Sequence, residues 1–182
     1  PDADHITDPV IVTTQATSTT YGTAFDTVVD TISFQPDLVV MKQSEVRSDP
    51  LNGTTNPKAI PGSIVRYTIT LTNTGLGLAD ADSLIITDPI PPHTDMVVAG
   101  TPVELVDSAP PNDTGLTLAP GDVTYSNGVG PGYVFDYTPS GTGPDGTDPN
   151  VTAVRIQLTG AMPGATTGVT PSCTIQFSIR VE

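Results

Sequence analysis

Residues 173–181 alternate without a break, with Cys173, Ile175, Phe177, Ile179 and Val181 on one side and Thr174, Gln176, Ser178 and Arg180 on the other. A two-residue period puts successive side chains on opposite faces of an extended chain, so this run predicts a half-buried β-strand with the cysteine sulfur on its apolar face. Residues 65–72 repeat the pattern: Val65, Tyr67, Ile69 and Leu71 oppose Arg66, Thr68, Thr70 and Thr72. Pro61-Gly62 precedes this second run and Asn73-Thr74-Gly75 follows it, so turn chemistry brackets the strand. Shorter runs at residues 38–43, 83–87, 96–99, 133–137 and 151–158 follow the same grammar, the last with Val154, Ile156 and Leu158 on one face. They bring the count to about seven strands.

No stretch of helical length shows a 3.6-residue period, and 17 glycines and 19 prolines, about a fifth of the 182 residues, favour turns over helices. The fold class read from this pattern is all-β, an immunoglobulin-like β-sandwich over residues 36–182. Two segments break the strand spacing, residues 107–127 with Pro110-Pro111 and residues 140–150 with Asp145-Gly146, and these predict long surface loops. Residues 1–35 stand apart as an N-terminal extension. They are rich in Thr, yet carry apolar stretches at 10–12 and 25–34.

Twenty acidic residues against six Lys and Arg give a net charge of −14, which repels phosphate backbones and anionic lipid and so argues against nucleic acid as a partner. A hydrophobic content of 36% is too high for a disordered polyanion. No apolar run approaches the roughly 18 residues of a membrane span, so direct membrane insertion is not expected. Pro1 opens without a basic and apolar leader, so for a secreted chain the signal has already been removed. One cysteine, Cys173, makes no intrachain disulfide.

The stretch Pro61-Gly62-Ser63-Ile64-Val65-Arg66-Tyr67-Thr68-Ile69-Thr70-Leu71-Thr72-Asn73-Thr74-Gly75, with Asp37 to Lys42 before it and Leu84-Ile85-Ile86-Thr87-Asp88-Pro89-Ile90-Pro91 after it, resembles a bacterial and archaeal surface-repeat family. That family is catalogued as domain of unknown function eleven. The resemblance covers about residues 37–92. It implies an immunoglobulin-like module of large cell-wall, surface-layer or appendage proteins, a spacer or assembly unit with no catalytic residues to carry over. The chain departs from the family in its two long loops and in its 35-residue extension.

Nucleophilic catalysis needs a His beside a Ser or Cys, and the only candidates are His5 and His93, with Cys173 facing inward on its strand. No enzyme is expected. Cys-x-x-Cys and similar transition-metal spacings are missing. Calcium is the one cofactor the sequence leaves room for, since Asp80 with Asp82 and Asp145 with Asp148 place paired carboxylates on turns. The blander reading gives those aspartates turn work alone. Some surface immunoglobulin-like domains cross-link a strand Lys to an Asn on another strand beside a buried acid. Lys42 is suitably placed for this, but the final strand contains no Asn. Asn52, Asn112 and Asn150 each open an Asn-x-Thr triplet in a predicted loop, where glycans attach if the source has the machinery.

Val10, Val12, Phe25, Val28, Ile32 and Phe34 make the extension too apolar for a free tail. Burying one such side chain contributes roughly 1.5 to 3 kcal/mol, against about 1 to 2 kcal/mol per residue ordered, so a net gain requires a preformed groove. A donor-strand arrangement meets that need: the extension of one subunit adds to the sandwich of the next, head to tail, and the partner is another copy of the chain. The opposing expectation is that residues 5–34 fold back onto their own sandwich. The chain is accordingly expected to be a secreted subunit of a pilus-like or cell-surface filament, polymerising with itself. The alternative is an adhesive or carbohydrate-binding surface domain, with the two long loops and Tyr125, Tyr133 and Tyr137 as its recognition surface, or a spacer repeat of a larger cell-wall protein.

Overall fold

The computed structural model describes residues 8–18, 20, 22–32, 34–130 and 132–182, and for most of the first two strands the backbone alone. Eleven strands follow in order: β1 Asp8–Ser18, β2 Gly22–Ile32, β3 Leu38–Ser48, β4 Ile64–Asn73, β5 Ile85–Pro89, β6 Thr94–Val97, β7 Val103–Asp107, β8 Val123–Ser126, β9 Thr147–Asp148, β10 Ala153–Gln157 and β11 Ser172–Val181. Every pairing among them is antiparallel. Among the described residues the only helical segments are two 3-10 turns of three residues each, and no helix is long and apolar enough to cross a membrane.

The chain from β3 onward is an all-β sandwich of two sheets. One runs β3-β4-β11-β6-β9, with β7 also on β11, and the other runs β5-β10-β8. The two longest alternating runs lie at its centre, because β11 pairs with β4 from Ser172↔Thr72 to Arg180↔Ile64. The opposite edge of β11 is shared, first by β7 at residues 173–177 and then by β6 at residues 179–181. Cys173, Ile175, Phe177 and Ile179 are buried as their period requires, and Val154, Ile156 and Leu158 meet them with no exposed surface.

Nine strands build the sandwich where the periodicity counts about seven: β7 lies in a stretch that carries no alternating run, and β8 and β9 lie in the segments read as loops. Residues 107–127 contain β8 and a further bridge from Thr117 to Thr159, and residues 140–150 contain the two-residue strand β9. These segments are tied down from within. Asp107 accepts hydrogen bonds from Ser108 N, Thr114 N and Oγ1, and Gly115 N, while Asn112 Oδ1 accepts from Thr170 N. Residues 133–137, in contrast, alternate like a strand but, among the described residues, form only one bridge, Tyr137 to Tyr125.

Asp49 closes the excursion between β3 and β4. Its Oδ1 accepts from Leu51 N and Asn52 N, and its Oδ2 from Asn52 Nδ2 and Lys58 N. The Asn52 side chain and these backbone donors hold the carboxyl at about 2, below its ordinary 3.8.

Candidate functional site: hairpin, root and edge strand

The extension forms a hairpin. β1 and β2 pair residue for residue from Asp8↔Ile32 to Ser18↔Gly22 and make a two-stranded sheet of their own. Among the described residues neither strand joins either sheet of the sandwich. Val10, Val12, Phe25, Val28 and Ile32 have their backbones in this hairpin, while their side chains lie outside the described residues; Phe34 is exposed. Residues 5–7, the start of the predicted assembly segment, and His5 lie outside the described residues as well.

Residues 34–37 carry the hairpin into the sandwich, and they are clamped there. Asn73, fully buried at the end of β4, is the hub: its Oδ1 accepts from Asp37 N and Gly75 N, and its Nδ2 donates to Gly77 O and Pro163 O. All four hydrogen-bonding positions of the amide are satisfied. Thr74 N donates to Asp37 O at 2.8 Å and Gly77 N to Gln35 O at 3.1 Å. Gly75 and Gly77 allow this approach, because a Cβ at either would overlap the backbone of residues 34–37. The residue types of Asn73-Thr74-Gly75 spell a turn, and the clamp leaves no local mark in the sequence.

β3 begins directly after the clamp and pairs only with β4 among the described residues. No residue of β3 is buried. Leu38, Val39, Val40 and Met41 are 38, 49, 57 and 49% exposed, so apolar side chains stand bare on both faces of the strand. One charged contact ties this strand to the second sheet. Lys42 Nζ lies 2.7 and 2.6 Å from the two carboxylate oxygens of Asp88 on β5, and 4.2 Å from the Tyr67 ring centroid. Asp88 is 7% exposed, and its Oδ2 has no hydrogen bond of good direction, so the second contact is ionic in character. The acid near Lys42 is thus identified as Asp88, and β11 offers no Asn to this amine.

The predicted calcium carboxylates are engaged separately. Asp82 Oδ1 accepts from Gly160 N, and Asp80, on the same turn, is exposed. Asp145 is exposed and pairs with Arg180 at 3.2 Å, whereas Asp148 is buried and accepts from Tyr137 Oη, Ser140 N and Asn150 N. Burial raises the Asp148 carboxyl, but these donors outweigh it and leave it below its ordinary value. Among the described residues no three His, Cys, Asp or Glu side chains are placed to hold a metal ion.

Cys173 is buried, and desolvation with the nearby Asp107 charge pushes its thiol up to about 11. His93 is exposed and faces Glu182 at 3.5 Å. Asn52 and Asn150 donate their side-chain amides to Asp49 and Asp148. Tyr133, Phe135 and Tyr137 turn toward the body, with Arg155 4.3 Å above the Phe135 ring. A cavity of about 350 Å³ opens beside Tyr125, walled by Val98, Pro102, Val103, Leu118 and Val123.

No protein-family model matches the chain, nor does any curated protein or solved structure.

Proposed function

We propose that this chain is a structural subunit of an extracellular or cell-surface filament, polymerising head to tail through its N-terminal hairpin and performing no chemistry of its own. One observation carries the reading: two strands of 11 residues each pair with one another and, among the described residues, with neither sheet of the sandwich. A lone two-stranded hairpin is marginal in water, and gains stability when a third strand or an apolar face covers it. The clamp at Asn73 supports the same reading, since it fixes the place from which the hairpin leaves the body. The motif resemblance over residues 37–92 points to surface modules as well. Electron microscopy of the full chain and of a chain lacking residues 1–34 tests the proposal: filaments from the first and none from the second support it. A monodisperse monomer of the full chain at high concentration overturns it.

The apolar cavity beside Tyr125 favours a second reading, an adhesive or carbohydrate-binding surface domain. Saturable binding of a glycan, lost on Tyr125→Ala, would select it.

A further inference from the structure

We infer that the acceptor for the hairpin is the outer edge of β3 in a second copy of this chain, an assignment that rests on the assembly reading above and names its missing half.

The first argument is the protection that β3 lacks. Exposed edge strands are ordinarily blunted by charged side chains, proline or a bulge, because their unpaired N–H and C=O groups recruit other strands. In β3 these devices occupy one half only: Lys42, Glu45 and Arg47 lie beyond Met41, and the single register shift falls between Val46 and Ser48. The other half, residues 38–41, carries four exposed apolar side chains and no charge. A strand laid along this edge would pair its backbone and set its own side chains beside those of residues 38–41 on both faces.

The second argument is charge. In a chain of net charge −14, a second copy meets least repulsion where the basic residues are. β3 holds two of the six Lys and Arg residues, Lys42 against Asp88 and Arg47 against Glu45, so this edge is close to neutral in a strongly acidic chain. β1 and β2 hold Asp8, Asp26 and Asp30 and no base. Length agrees: β1, β2 and β3 are each 11 residues, so a full pairing leaves little overhang. Donor hairpin and acceptor edge are different surfaces, so the contact is heterologous and propagates.

The test is sedimentation of the full-length chain beside its Val40→Asp variant, with Val129→Asp, 88% exposed on a loop, as the control. Val40→Asp is expected to weaken assembly about tenfold, the effect of one like charge set against the acidic hairpin, and to leave the melting temperature unchanged. If Val40→Asp itself melts early, Val39→Asp on the opposite face of the strand replaces it. A Val40→Asp chain keeps its hairpin, so mixed with native chain it should cap growing ends and shorten the assemblies. Native chain that assembles alongside equally competent Val40→Asp and Val39→Asp chains overturns the β3 assignment and leaves the hairpin reading standing. Native chain that stays monomeric overturns both.

Discussion

Lys42 Nζ sits between the two carboxylate oxygens of Asp88, at 2.6 and 2.7 Å, and so joins the edge strand of one sheet to the edge strand of the other. The Tyr67 and Phe177 rings lie 4.2 and 5.7 Å from the ammonium, which gives it two π-faces as well as a counter-ion. On β3 this pair links the layers, beside Val46, which packs against the core cluster. Removing Lys42 alone leaves the buried Asp88 without its charge partner. Because the Lys42 side chain is 37% exposed, water relieves part of that cost. Lys42→Met is expected to destabilise the sandwich by about 1–3 kcal/mol, and Lys42→Met combined with Asp88→Leu to recover most of it. Urea denaturation of the two single variants and the double variant checks this.

Asp49 makes the fold tolerant of acid in one place. Its carboxyl is held at about 2 in the folded chain against 3.8 ordinarily, so the folded state prefers the charged form. The stabilisation is present above pH 3.8 and is lost as pH falls through about 2. Asp49→Asn should therefore be less stable than the native chain at neutral pH, with the difference closing over that window. Thermal melting across the acid range measures it.

Asp95 predicts the opposite sign. It is buried on β6 with an unpartnered Oδ1, and desolvation, then the nearby Glu182 charge, push its carboxyl above 3.8. A raised carboxyl contributes stability below pH 3.8 that is lost as pH rises through the folded value. Asp95→Asn, neutral at every pH, is expected to be more stable than the native chain at pH 7 and equal to it near pH 3. Equal stability at both pH values would show that Asp95 is ionised without penalty.

Which parts of this were legible in the sequence follows from what alternation encodes. A two-residue period reports which side chains face a core, and for Val65 to Leu71 and Cys173 to Ile179 that reading carries directly into the central pair of strands. It does not report pairing. Tyr133, Phe135 and Tyr137 face the body as their alternation demands, yet only Tyr137 bridges a neighbour. Nor does it report coverage: residues 38–43 read as a strand, but whether the second sheet reaches far enough to bury Val40 depends on packing between layers. Short strands such as Thr147–Asp148 carry too few residues for any period and exist because Met96 and Val97 are there to pair with. Asn73 is the clearest loss. Its turn role is local, whereas its clamp role depends on Asp37, 36 residues earlier.

That clamp supplies a prediction linking fold to assembly. Asn73→Ala removes an acceptor from Asp37 N and Gly75 N and a donor from Gly77 O and Pro163 O, at a residue that itself has no exposed surface. Net contributions near 1 kcal/mol per hydrogen bond, with some of these groups rehydrated at the surface, give an expected loss of about 2–3 kcal/mol. The consequence is also local, because Asp37 and Gln35 lose the contacts that hold the hairpin root. Residues 34–37 should therefore become a protease-sensitive hinge while the β4–β11 pair stays protected from hydrogen exchange. Limited proteolysis with mass spectrometry reads the first effect and amide exchange the second. If the variant assembles less well than its lost stability accounts for, the direction in which the hairpin leaves the body matters to polymerisation. If assembly is unchanged while the root is cleaved freely, the hairpin acts as a tethered strand whose exit angle is irrelevant.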